Sequence, residues 1–281
     1  MLLMALLIVS SLAWPAGRVL AQAAGYTGCG GVASPPVSNA DYEQAVITLV
    51  NAQRASNGGL PPLKRVDPLD QAARYHAIDM AQDRYFYHDT YDRNPNRQLV
   101  EICDTRQRLE SYYANALALG ENIAGGQETP YDVVMGWMDS TGHRANILST
   151  NATEIGVGYY PGGIYGTVWV LDFGRRDGIY PLVINREDKI VASRDVNLYV
   201  YGAGMWSEMR LRNDDDAWSA WQPFRNEVSW TLKDLNGERT VWVELRQGAQ
   251  TQTTSDTIQF TGQSPEPPSG PLKIYLPTII H

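Results

Sequence analysis

Near residue 150 the hydrophobic pattern of the chain changes period, and that change limits the folds open to it. Up to Leu148 the apolar residues recur at helical spacing. Asn39 or Asp41 is placed to cap a helix with Tyr42, Ala45, Val46 and Leu49 on one face, ending at Asn57-Gly58-Gly59. Asp67-Pro68 starts a second helix, a capping side chain followed by a first-turn proline, with Leu69, Ala72, Ala73, His76 and Met80 on its apolar face. Thr105 starts a third helix that Gly120 stops, and Thr129-Pro130 starts a fourth through Val133, Val134 and Trp137. From Glu154 the period is two. Ile155, Val157 and Tyr159 point one way, Glu154, Gly156 and Gly158 the other, and Pro161-Gly162-Gly163 turns the chain into a second strand, Thr167 to Phe173. Helices followed by a hairpin predict a layered α+β domain.

Beyond Tyr180 only strand signals remain. Val196, Leu198 and Val200, then Val228, Trp230 and Leu232, then Val241, Val243 and Leu245 alternate with polar residues, with turns at Asn213-Asp-Asp-Asp216 and Asn236-Gly237. Short strands at this spacing predict an all-β sandwich over 179–261. Five of the eight tryptophans fall there, at 206, 218, 221, 230 and 242. Packing across strands explains them better than a sugar-binding platform. A segment rich in Pro, Ser and Gly and a short apolar tail fill 262–281.

With 281 residues, 43% hydrophobic and 19% charged, the chain can bury a large core, and its net charge of −8 excludes a basic footprint for nucleic acid. The first 13 residues are almost wholly apolar, too few to span a bilayer, and Val19-Leu20-Ala21 suits signal-peptidase cleavage. Residues 1–21 therefore read as a signal peptide, and 22–39, rich in Gly, Ala, Ser and Pro, as a flexible arm. Cys29 and Cys103 are the only cysteines. An even pair in an exported chain points to one disulfide between them, with two free thiols as the alternative.

Four histidines are present. His281 is terminal, and His76 sits on an apolar helix face where a hydrogen-bonded core histidine is the ordinary reading. His88 follows Tyr85-Phe86-Tyr87 past the second helix, and His143 lies between a helix end and Ala145-Asn-Ile-Leu148. Two carboxylates occupy similar boundaries: Glu121 after Gly120, and Glu154 at the head of a strand whose same-face neighbours are glycines. Glycine in a strand marks close approach of something to the backbone, and here it is read as open space beside Glu154. Two imidazoles and two carboxylates in one cleft would suit a divalent metal, but spacing alone does not bring the four together.

Several stretches, in order, resemble the CAP superfamily of cysteine-rich secretory, antigen 5 and pathogenesis-related 1 proteins, in its bacterial extracellular form. They are Val50-Asn-Ala-Gln-Arg54, Ala73-Arg-Tyr-His-Ala-Ile-Asp-Met-Ala81, Phe86-Tyr-His88, Gly120-Glu-Asn-Ile-Ala124, Trp137 to Leu148, Thr153 to Gly158 and Trp169 to Gly174. The resemblance implies an α-β-α sandwich over 40–176 with a cleft lined by His88, Glu121, His143 and Glu154. It also implies a metal, zinc or magnesium, on His88 and His143. Asp89 to Leu119 is longer than the family's usual segment and carries Cys103 and arginine clusters. Residues 209–213, 218–221, 230–232 and 237–243 resemble an immunoglobulin-like module of bacterial surface proteins.

Two functions follow from these readings. The favoured one is a secreted or cell-surface binding module for a lipid, peptide or cell-wall fragment, with surface association through the C-terminal region. The alternative is a metal-dependent, peptidase-like hydrolase with Glu121 or Glu154 as general base.

Overall fold

The computed structural model describes residues 26–31 and 34–262. The signal-peptide reading of 1–21, most of the C-terminal segment and parts of the arm lie outside them. The first part of the chain runs α1 (Ala40–Ser56), β1 (Lys64–Arg65), α2 (Asp67–Asp83), β2 (Thr90–Arg93), β3 (Leu99–Cys103), α3 (Thr105–Tyr112), β4 (Ala116–Gly125), α4 (Pro130–Asp139), α5 (Thr141–Ile147), β5 (Glu154–Pro161) and β6 (Thr167–Arg176). Four strands form one sheet in the order β1-β5-β6-β4, which leaves β4 at an edge.

Helices cover both faces of this sheet. Ile155, Val157, Trp169, Leu171 and Phe173 face α1, α4 and α5 and join them in one core. Val168, Val170 and Ile123 face the other way, onto Ala73, Ala77 and Met80 of α2. Caps follow the sequence: Asn39 accepts from the Tyr42 N–H at 3.1 Å, and Thr129 caps α4 ahead of Pro130. At α2 the cap position is Val66, which offers no side-chain acceptor, and Asp67 already lies inside the helix.

Two sequence expectations are corrected. The third helix stops at Tyr112 rather than Gly120, and Ala116–Gly125 is a strand paired with β6 through nine register positions, Leu119–Gly174 and Glu121–Asp172 among them. Ala and Leu favour helix, but β6 needs a partner, and pairing decides. The second concerns Gly156 and Gly158, which do not line open space. A Cβ on Gly156 would stand 2.2 Å from the backbone of Leu69 and Asp70, and one on Gly158 2.3 Å from that of Ala73. The glycines let α2 lie directly on the sheet.

The second part is strand-rich: β7 (Leu182–Ile184), β8 (Ile190–Val191), β9 (Asp195–Val200), β10 (Glu208–Asn213), β11 (Gln222–Pro223), β12 (Glu227–Thr231), β13 (Gly237–Gln247) and β14 (Gln250–Phe260). A five-stranded sheet, β11-β10-β13-β14-β8, and a three-stranded one, β12-β9-β7, share one core of Leu198, Leu211, Val243 and their neighbours. Trp218, Trp221 and Trp242 alternate with Arg210, Arg212 and Arg246 in a ladder of cation–π contacts, 3.9 to 5.6 Å from guanidinium to ring. The two parts touch. Lys64 of β1 pairs with Glu187 and Asp256, and α1 donates from Asn51 and Gln44 to the carbonyls of Arg186 and Glu187.

Substituting Gly158→Ala is expected to lower the unfolding free energy by about 1–3 kcal/mol or more, because the added methyl meets backbone that has no rotamer to change. Gly136→Ala, on the exposed side of α4 with no atom within 4 Å, is expected to raise it by about 0.5–1 kcal/mol. Denaturant titration of both variants checks the pair.

Candidate functional site

The outer edge of β4, buried at Glu121–Ala124, is approached from both helical layers. His88 comes from the loop behind α2, and His143 from α5 on the opposite side. Their positions are fixed through the backbone: Arg108 and Thr105 donate to the carbonyl of His88 at 2.8 and 2.9 Å, and Asn122 donates to that of His143 at 3.0 Å. Asn146 holds α5 to the strand by donating to the carbonyl of Glu121 and to Asn122 Oδ1.

Glu121 sits between the layers. His88 Nδ1–H donates to its Oε1 at 2.8 Å, while Arg108 engages Oε2. Because Nδ1 carries the proton, Nε2 of a neutral His88 keeps its lone pair. Arg108 is wholly buried and also donates to Thr90. Burial alone would raise the Glu121 pKa, but Arg108 and the neighbouring histidines outweigh it and hold Glu121 below its ordinary value. The hydrogen bond to Glu121 raises His88, whose side chain is 50% exposed. Desolvation, and behind it the nearby His88, lowers His143.

A polar layer lies beneath this pair. Asp172 is fully buried and sits opposite Glu121 in register, with the Glu121 carboxylate as its hydrogen-bonding neighbour. Burial and the charge on Glu121 push its pKa well up. With one guanidinium facing two carboxyls, Glu121 carries the charge and Asp172 the proton. His76 is buried as its apolar face implied, and its Nε2–H donates to the Tyr87 carbonyl at 2.9 Å. Desolvation lowers its pKa to about 3, so it stays neutral.

The structure does not bring Glu154 to this cluster. Glu154 pairs with Gly174 on β5, two strands in from the edge, roughly 12 Å from Glu121 by strand spacing and rise. Its carboxylate is buried and spent: Arg176 donates to both oxygens, and the Tyr113 hydroxyl donates to Oε2 in the space that Gly174 leaves. Nor do His88, Glu121 and His143 place three ligand atoms within 4.8 Å of one another; among the described residues only Asp79, Asp83 and Asp92 do so. Arg108, Tyr113, Asp172 and Arg176 were not singled out from the sequence. The available signal for Arg108 was its place beside Leu109 and one turn before Tyr112. Cys29 and Cys103 are joined in a disulfide with Cα atoms 5.8 Å apart, which ties the arm to the end of β3.

Residues 47–173 match the family model for CAP, the Cysteine-rich secretory protein family. They are a CAP domain. Over 140 residues the chain is 39% identical to the uncharacterized protein YkwD of Bacillus subtilis (strain 168), covering 50% of this chain and 49% of that protein. It is 30% identical over 116 residues to the uncharacterized membrane protein YlbC of the same organism, covering 41% of this chain and 31% of YlbC. The chain thus matches at most about half the length of these curated relatives. A crystal structure of an extracellular protein containing an SCP domain from Bacillus anthracis str. Ames is 28% identical, with a TM-score of 0.41, over 48% of this chain and 41% of that one.

Histidine titration by NMR checks the electrostatics of the CAP cleft. His88 is expected to titrate above the ordinary histidine value and His143 below it, and Glu121→Gln should remove the elevation at His88. Because folding raises the His88 pKa, its stabilisation is complete below about pH 6.5 and is lost as pH rises through the folded value. Half-exposed, it contributes little.

Proposed function

We propose that this chain is an extracellular binding protein whose CAP domain presents a metal-capable cleft to a lipid, peptide or cell-wall fragment. The state of the two acids carries this reading. Glu121 is engaged by His88 and Arg108, and Glu154 by Arg176 and Tyr113. Neither is left to take a proton from water, the task a general base would have in the hydrolase alternative. The cleft is built to hold rather than to cut.

The donors suit zinc in part. His88 Nε2 and the neutral His143 are the imidazole nitrogens that zinc accepts. A carboxylate on the second ring nitrogen is the usual support of a metal-bound histidine, which is the place Glu121 occupies. His88 and His143 would hold the ion and Glu121 would orient the His88 ring. Bound there, the ion would supply a Lewis-acid centre with open positions for a ligand's carbonyl or anionic oxygen. Magnesium, which takes oxygen ligands, suits this pair less well.

Export and surface attachment belong to the same proposal. The apolar run at 1–21 supports export, as does a disulfide of the kind that oxidising compartments retain. No helix among the described residues is long and apolar enough to cross a membrane. The strand-rich part is proposed to be an immunoglobulin-like module that spaces the cleft from a surface reached through the C-terminal segment. Elemental analysis after zinc loading and desalting tests the cleft: roughly one zinc per chain is expected, removed by chelator and absent from His88→Ala/His143→Ala. Zinc retained in full by that double variant would contradict the assignment.

A further inference from the structure

Three aspartates meet on the side of α2 covered by the N-terminal arm. Asp79 and Asp83 stand one turn apart at the end of the helix, and Asp92 joins them from β2. Their carboxylates offer one oxygen each within 4.8 Å of one another. None of the three takes part in an ion pair among the described residues, where the buried pairs use other acids. Arg93 borders the group: its backbone N–H and its charge act on Asp83, while Nε and Nη1 donate to the carbonyls of Asp83 and Arg97. Arg108 acts on Asp79 from further off, with its donors on Glu121, His88 and Thr90.

A second observation points to a ligand. Asp79 is completely buried, and its Oδ1 accepts no hydrogen bond from any described residue; Asp92 Oδ1 is likewise buried and unpartnered. The other oxygen of each is taken, by the Tyr85 hydroxyl on Asp79 and by the Gly28 N–H, at 2.9 Å, on Asp92. Buried carboxylate oxygens are almost always satisfied, so two orphans in one cluster call for a partner. The position is also wrong for unneutralised acids. The last turn of α2 carries Asp83 and no base before Arg84 at the cap, with the acid against the negative end of the helix dipole.

We propose that Asp79, Asp83 and Asp92 form a calcium site. An all-oxygen, all-carboxylate set is the donor chemistry of a hard cation and differs from the imidazole pair of the cleft. Oxygens within 4.8 Å of one another lie in reach of one ion at a Ca–O distance of about 2.4 Å, and calcium accepts an all-protein carboxylate set more readily than magnesium, which keeps several waters. The ion joins three pieces of chain. The arm is bonded at Gly28, whose N–H donates to Asp92 and whose carbonyl accepts from Tyr75; the β2–β3 hairpin carries Asp92 and the Cys103 end of the disulfide; α2 supplies the rest. Calcium therefore fixes the arm and hairpin beside the cleft, independently of what the cleft binds.

The test uses the whole chain, stripped with EDTA and titrated with calcium, and with terbium, whose luminescence Tyr75 and Tyr85 are placed to sensitise. Binding with a Kd on the order of 10⁻⁴ to 10⁻³ M or tighter is expected, with a rise in Tm. Asp83→Asn and Asp92→Asn, at partly exposed positions, should each weaken calcium at least about tenfold, as expected for the loss of one charged ligand. His88→Ala/His143→Ala should leave calcium binding unchanged. Absence of both terbium luminescence and a Tm shift up to about 10 mM calcium, well above that range, would overturn the proposal. So would binding that survives both aspartate substitutions at full strength.

Discussion

A guanidinium with no access to water holds Glu121 and the His88 loop in place. Arg108 reaches from α3 to the carboxylate of Glu121 on β4, to Thr90 on β2 and to the carbonyl of His88. Removing either member of such a buried pair strands a charge, at a cost of about 3–5 kcal/mol, so the two residues stand or fall together. Three stretches of chain, 88–90, α3 and β4, meet at this one ion. Because Arg108 fixes Glu121 as an anion, Glu121 can fix the His88 ring. The adjacent Asp172 must then hold a proton, since a second buried anion would have no counter-charge.

The cleft also depends on how closely α2 lies on the sheet. Gly156 and Gly158 remove the side chains that would hold the helix away. The resulting contact buries His76 and Asp172 behind Glu121, out of reach of bulk solvent. Close packing by glycine and charge pairing by arginine are thus two parts of one arrangement: the first creates a low-dielectric layer, and the second makes an ionised acid tolerable within it.

Much of this was legible in the residues. Asn39 and Thr129-Pro130 marked helix starts, and the alternation from Glu154 to Phe173 marked the hairpin, because caps and period are local properties. The CAP domain was legible as an ordered set of short motifs. β4 was not, since Ala116-Leu-Ala-Leu119 carries helix propensity and becomes a strand only through β6. The roles of Glu121 and Glu154 looked alike in sequence, one acid directly after Gly120 and the other on the same strand face as Gly156 and Gly158. Sheet order separates them, with one on the edge strand and the other two strands inside, and alternation does not reveal order. Arg108 was visible as a charge but not as a buried one. The glycines of β5 were read as space when they are points of contact, because a missing side chain has the same signature in either case.

The central claim is that Glu121 serves the cleft by orienting His88 and does not itself hold the ligand or ion. Anomalous diffraction from zinc-soaked crystals tests it most directly. The account predicts zinc density bonded to His88 Nε2 and to His143, with the Glu121 carboxylate still on His88 Nδ1 and Arg108. Zinc bonded to a Glu121 or Glu154 oxygen, with the Arg108 or Arg176 pair broken to release it, would contradict the account.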